Sequence, residues 1–176
     1  DFNSGVRKFV FVGSLYKLKR VEDIIKALSA AFPEKDFTFE VVGGGEEEGH
    51  LRSLVKNLGV ENQVHFHGQV SRDSAQKIMN DSDCFIMVSS REAFGLVYVE
   101  AMAKGCIVIA TKGQGMDGII KNGENGFLCE AENINELASL IKSVAQMPLE
   151  KIRGISQNAV MTASGMTDKK AAEHYI

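Results

Sequence analysis

Residues 84–111 read CFIMVSSREAFGLVYVEAMAKGCIVIAT. Two apolar runs of strand length, CFIMVSS (84–90) and CIVIAT (106–111), flank FGLVYVEAMAKG (94–105). The middle segment reads as a helix, with Gly105 as its C-terminal stop. FIMV and IVIA are continuous rather than alternating, the pattern of parallel strands buried on both faces. Strand, helix and strand in this order make a βαβ unit with a right-handed crossover.

The alternation continues outward in both directions. Upstream lie the strand KFVFVG (8–13), the helix RVEDIIKALSAAF (20–32) and the strand FTFEVVG (37–43). A helix around 46–58 carries Leu51, Leu54, Val55 and Leu58 on one face and closes at Gly59. VHFHG (64–68) is a third strand, and Ser71 fits the N-cap of a helix through DSAQKIMND. Downstream, a Gly-rich stretch (113–126) leads to a short strand FLC, and the tail from Asn133 reads as helices. The fold class is therefore α/β, a doubly wound parallel sheet of Rossmann-like type, with residues 1–176 forming one domain. Sheets of this kind bind ligands beyond the C-terminal ends of their strands. Function is thus to be sought after Gly13, Gly43, Gly68, Ser89-Ser90 and in the 111–118 loop.

Composition bounds the possibilities. The chain has 176 residues, 44 % hydrophobic and 24 % charged, which excludes disorder as its main state. With 20 Lys+Arg against 23 Asp+Glu the net charge is −3, which argues against nucleic acid as a partner. No apolar run approaches the ~18 residues of a membrane span. Cys84, Cys106 and Cys129 read as reduced core thiols in a reducing, cytoplasmic compartment. His65 and His67 alternate along one strand without a Cys/His cluster, so no metal site is expected. The opening DFNSGVRKFVF enters a strand almost at once and suggests a piece of a longer protein.

The chemistry concentrates in SSREAFGLVYVEAMAKG. Glu92 lies just before the helix and Glu100 about two turns inside it. An acidic Glu92 suits the helix dipole. Around Ala93-Phe94-Gly95 free backbone N–H groups can meet an anion such as a phosphate, and Gly95 permits close approach. Glu100 sits among LVYV and AMA, where a carboxylate is costly to bury without partners. A vicinal diol such as a ribose would offer two O–H donors to its two oxygens. Lys17, Lys19 and Arg20 cluster after the first strand and either offer cations to phosphates or form a solvated basic face. GQGMDG (113–118) matches G-x-G-x-x-G, but only IIKN follows where a dinucleotide fingerprint needs a long helix. GGGEEE (43–48) reads as a turn into an acidic helix start.

Together these segments resemble the C-terminal, donor-binding half of retaining GT-B glycosyltransferases of the glycogen-synthase-like family (group 1, GT4). The E-x7-E signature is Glu92-AFGLVYV-Glu100, preceded by an apolar strand and SSRE and followed by AMAKG and CIVIA. VGSLYKLKRVEDIIKAL is similar to the family's G-R-L-x-x-x-K-G opening through Gly13, Leu15 and Lys19. VHFHGQVS resembles the strand and loop beside the nucleobase, DGIIKNGENGFL resembles E-I-I-x-x-G-x-x-G-F-L, and MTDKKAAEHYI resembles the helix that crosses back to the partner domain.

The resemblance implies roles residue by residue. Glu100 would hold the ribose hydroxyls, and Glu92 would face the donor sugar and the reaction centre. Backbone amides at Phe94, Gly95 and Leu96 would contact sugar and diphosphate, with Gly13, Ser14 and Ser90 beside them. Lys19 would neutralise the leaving diphosphate, and backbone at Gln69 and Val70 would read the base. The implied reaction moves a sugar from a UDP- or GDP-linked donor to an acceptor hydroxyl, in glycan or polysaccharide biosynthesis, without an obligatory metal and with no cofactor beyond that substrate. The implied partner is the protein's own N-terminal acceptor domain, and any contact with the inner face of a membrane would come from regions outside this chain. Two positions depart from the family pattern: Ser14 replaces an Arg, and Asp117 replaces a commoner Glu. Alternatives are a nucleotide-binding regulatory module that lost catalysis, a GT-B-shaped sugar-nucleotide epimerase, and a dinucleotide-binding oxidoreductase.

Overall fold

The computed structural model describes Phe2, residues 5–93 and residues 95–166. Six strands form one sheet: β1 (Lys8–Val12), β2 (Thr38–Val42), β3 (Val64–Gly68), β4 (Cys84–Met87), β5 (Ile107–Thr111) and β6 (Phe127–Cys129). Their order is β3-β2-β1-β4-β5-β6, and each neighbouring pair is parallel. The chain winds outward from β1 in one direction and from β4 in the other. Between these two strands lies the switch point where doubly wound sheets place their ligands.

The helices are α1 (Val21–Ala31), α2 (Glu48–Leu58), α3 (Arg72–Asn80), α4 (Leu96–Ala103), α5 (Ile134–Ala145) and α6 (Leu149–Gly165). Right-handed crossovers send α1 and α4 to opposite faces, because the strands they join run outward in opposite directions. Accordingly α1 packs against α5 and α2, while α4 packs against α6. The apolar positions at helical spacing in α1, Val21, Ile24, Ile25 and Leu28, are all buried. The centre of the sheet is a run of buried apolar residues, including Phe9, Phe11, Phe39, Phe85 and Ile109. Each such side chain contributes about 1.5–3 kcal/mol by leaving water. At the opposite end from the ligand face, Asp83 accepts from the N–H groups of Arg7 and Lys8, both at 2.9 Å, and fixes the start of β1.

Two local features differ from the sequence reading. The helix expected from residue 94 begins at Leu96, because Gly95 is its N-cap in the left-handed region with φ 68°. A 3-10 turn at Lys17–Lys19 follows β1 and was not foreseen. Ser71 caps α3 as expected, its Oγ accepting from the Ser74 N–H at 3.2 Å. The tail segment TDKKAAEHYI, expected to cross back to another domain, lies outside the described residues.

Candidate functional site

The loops at the C-terminal edge of the sheet are stitched together in the order of their strands. After β1, the Gly13 N–H donates to Val42 O at 2.9 Å and the Leu15 N–H to Gly44 O at 3.0 Å. After β2, the Gly43 N–H donates to Gly68 O at 2.8 Å. Glycine is required at 43: its φ is +127°, and a Cβ there would lie 1.9 Å from the Gly13 carbonyl oxygen. Between β1 and β4, the Ser90 N–H donates to Leu18 O at 2.9 Å. Between β4 and β5, the Glu92 N–H donates to Gln114 Oε1 at 2.8 Å, and the Gly115 N–H donates back to Glu92 O at 3.0 Å.

The expected residues fall into three groups on this edge. Gly13, Ser14, Gln69 and Val70 line one open cleft of about 370 Å³ together with Gly43 and Gly44. Lys19 Nζ meets Glu92 Oε2 at 2.5 Å, so the 3-10 turn after β1 brings the two expected catalytic residues together. Gly95 and Leu96 form the start of α4 beside them, and among the described residues no side chain caps that helix. Its first-turn amides thus keep the positive end of the dipole available to an anion. Phe94 lies outside the described residues. Gly95 is tied to its place: a Cβ there would lie 2.6 Å from the Tyr98 ring and 3.4 Å from Glu92 Cγ.

Glu100 forms the third group, and here the sequence reading needs correction. It is not sunk among apolar neighbours: its side chain is one-third exposed (33 %). Only one face of α4, formed by Tyr98, Ala101 and Met102, is buried, while Leu96 is 54 % exposed. The apolar run LVYVEAMA therefore does not mean burial all round. Instead Glu100 Oε1 accepts from Arg72 Nη2 at 2.8 Å. Arg72 follows the Gln69–Ser71 loop directly, so this ion pair joins the loop after β3 to α4. No sequence feature marks Arg72, because its partner is 28 residues away and only the sheet order brings them together. Gln114 was likewise missed, hidden inside the G-x-G-x-x-G look-alike. That stretch forms turns rather than the start of a long helix.

The remaining cations are accounted for individually. Arg20 Nε donates to Asp23 Oδ2 at 2.7 Å and belongs to the start of α1, not to the cleft. Lys17 and Ser14 are exposed. Tyr98 is buried beneath the site; burial, and after it the Glu92 charge, push its phenol well above the usual range. It remains a neutral donor to Met87 O at 2.7 Å, which anchors α4 to the end of β4. Among the described residues no cluster of three His, Cys, Asp or Glu is arranged to hold a metal ion. Nor is any described helix long and apolar enough to cross a membrane.

Sheet order and glycine-rich strand ends define a Rossmann-like α/β domain. The chain belongs to the glycosyl transferases group 1 family, whose model matches residues 1–160. It is 35 % identical over 129 residues to the N-acetyl-alpha-D-glucosaminyl L-malate synthase of Bacillus anthracis, covering 73 % of this chain and 33 % of that protein. Its fold matches that of Anabaena HepE, solved in complex with UDP-glucose, with a TM-score of 0.86 and 29 % identity over 97 % of this chain and 48 % of that one. It also matches the C-terminal domain of the group 1 glycosyl transferase LpcC from Francisella tularensis, with a TM-score of 0.81, 26 % identity, and coverage of 92 % and 86 %. The chain spans about a third of the length of the curated relatives it matches.

Proposed function

We propose that this chain is the donor-binding half of a retaining glycosyltransferase that passes a sugar from a nucleotide sugar to an acceptor hydroxyl. The observation that carries this reading is the Lys19–Glu92 pair beside the uncapped start of α4, with Glu100 further along the same helix. In this reading Glu100 accepts from the ribose hydroxyls, and the backbone of Gln69 and Val70 meets the base across the cleft that also holds Gly13 and Ser14. Glu92 faces the donor sugar, near Ser90 and the amides at Gly95 and Leu96. As the bond from the sugar's anomeric carbon to the diphosphate breaks and the acceptor oxygen bonds to that carbon, negative charge grows on the departing phosphate, which takes up the proton released by the acceptor hydroxyl. Lys19 and the α4 dipole stabilise that charge, which is preorganised electrostatics and calls for no metal. The donor is UDP- or GDP-linked, and the complex of HepE with UDP-glucose supports UDP first. An N-terminal acceptor domain completes the site from across the cleft, and the role is glycan or polysaccharide biosynthesis on the cytoplasmic side.

Calorimetric titration of UDP, GDP and ADP into the chain tests the donor reading. Saturable binding of UDP or GDP is expected, and Glu92→Ala should leave the affinity for the bare diphosphate within about twofold. The chain alone should transfer no sugar, because the acceptor side is supplied by another domain. Failure of all three nucleotides to bind would overturn the donor reading, and glycosyl transfer by the chain alone would overturn the two-domain one. The exposed Ser14 in place of Arg, with Arg20 committed to Asp23, favours a second reading, a binding module without turnover. Turnover by the full-length protein on a panel of nucleotide sugars separates the two.

A further inference from the structure

Glu92 stands on a segment without helix or strand, residues 88–93, so no regular ladder holds its main chain. Both of its main-chain polar groups are nevertheless engaged by two consecutive residues of the loop after β5. The Glu92 N–H donates to Gln114 Oε1 at 2.8 Å, and the Gly115 N–H donates to the Glu92 carbonyl at 3.0 Å. That loop is closed on itself. The Gly113 N–H donates to Asp117 Oδ2 at 2.6 Å, and the Asp117 N–H donates to Gln114 O at 2.7 Å. Lys19 holds the carboxylate from the other side. With its backbone clamped and its oxygen steered, Glu92 has little freedom left.

We infer that Gln114 is the positioning residue for Glu92: its side-chain amide oxygen fixes the peptide that carries the carboxylate, so that Glu92 meets the donor sugar without reorganising. The inference rests on the placement of Glu92 at the sugar proposed above. Of the two contacts from the loop, only the one from Gln114 uses a side chain, so it alone can be removed by substitution. A misplacement on the order of 1 Å at a reacting group costs about a hundredfold in rate. Asp117 acts one step further back by shaping the turn that presents Gln114. The G-x-G-x-x-G look-alike thus has a use unrelated to dinucleotides: its glycines allow a tight loop, and its second residue reaches across to the strand-4 segment.

The test reads the chain itself. Amide hydrogen exchange follows Glu92, and calorimetry gives the ratio of the Kd for UDP to the Kd for UDP-glucose, which isolates what the sugar adds. In Gln114→Ala, protection of the Glu92 amide should fall about tenfold or more. The Kd ratio should move to the value found for Glu92→Ala, with the Kd for UDP itself within about twofold of native. Gln114→Glu keeps an acceptor oxygen at the same reach and should restore both protection and ratio. A native ratio in Gln114→Ala, alongside an altered one in Glu92→Ala, would overturn the inference while leaving the role of Glu92 intact. Loss of UDP affinity in Gln114→Ala would also overturn it, since the loop would then serve the fold at large. If Glu92→Ala leaves the ratio unchanged, Glu92 does not face the sugar, and the inference falls together with that part of the proposed function.

Discussion

At Glu100 a single carboxylate has two claims on it. In the structure Arg72 holds Oε1, while the proposed ligand brings two ribose hydroxyls. A charge-assisted hydrogen bond is worth roughly 1.5–3 kcal/mol, so losing the pair in Glu100→Ala should weaken UDP binding by about tenfold or more. Glu100→Gln should fall between, since its amide keeps one acceptor oxygen and loses the charge. A 2′,3′-dideoxy nucleotide should bind native protein more weakly, yet hardly distinguish native from Glu100→Ala. Equal calorimetric affinities throughout would remove the ribose role. Stability should barely respond, because Arg72 is 82 % exposed and such surface pairs contribute about 0–1 kcal/mol. In the sequence Glu100 stood out as a carboxylate within an apolar helix, whereas Glu92, which suits a helix start, stood out only through the E-x7-E spacing. Arg72 and Gln114 did not stand out, because an Arg in a helix first turn and a Gln between glycines are ordinary until the fold supplies what they touch.

At the scale of the element, boundaries follow from local chemistry and their exceptions from packing. The α3 start was readable because Ser71 supplies its own reason: its hydroxyl takes the Ser74 N–H that the helix cannot satisfy. Ser71→Ala should therefore lower stability by about 1 kcal/mol, measurable as a lower urea midpoint with unchanged slope. If the midpoint does not move, the cap is not what sets that boundary. The α4 start was misjudged because its cause is tertiary. Gly95 turns left-handed against the Tyr98 ring, and Tyr98 in turn is anchored to the end of β4. Periodicity sees the apolar residues of FGLVYV but not the ring that excludes a Cβ at 95. The same limit applies to the sheet: alternating strands and helices imply a parallel, doubly wound architecture, whereas the order β3-β2-β1-β4-β5-β6 depends on contacts between elements far apart in the chain.

At the scale of the whole molecule, the core carries strongly shifted titratable groups. Cys84, Cys106 and Cys129 are free and buried. Burial pushes the Cys84 thiol well up, and it raises Cys106 and Cys129 from 9.0 to about 12, with nearby carboxylates adding to it. The sign follows from proton binding. Once unfolded, these thiols ionise above pH 9, whereas in the folded chain Cys106 and Cys129 stay protonated to about pH 12 and Cys84 is shifted in the same direction. The unfolded state therefore binds fewer protons in that window, and stability falls as pH rises. Below the unfolded value the contribution is fully present. Each group costs about 1.4 kcal/mol per pH unit above it, so Cys106 and Cys129 alone remove roughly 5.5 kcal/mol by pH 11, and Cys84 acts in the same direction. That is comparable with the roughly 5–15 kcal/mol that holds a typical domain together. The buried Tyr98 phenol adds to the loss above pH 10, where it would ionise in the unfolded chain. Urea unfolding from pH 7 to 11 should show a flat midpoint up to about pH 9 and a steep decline beyond it. Replacing Cys129 by Ala should lower stability at pH 7 but flatten the alkaline decline, because one ionising group is gone. A native-like slope in that variant would show that the alkaline loss comes from elsewhere in the chain.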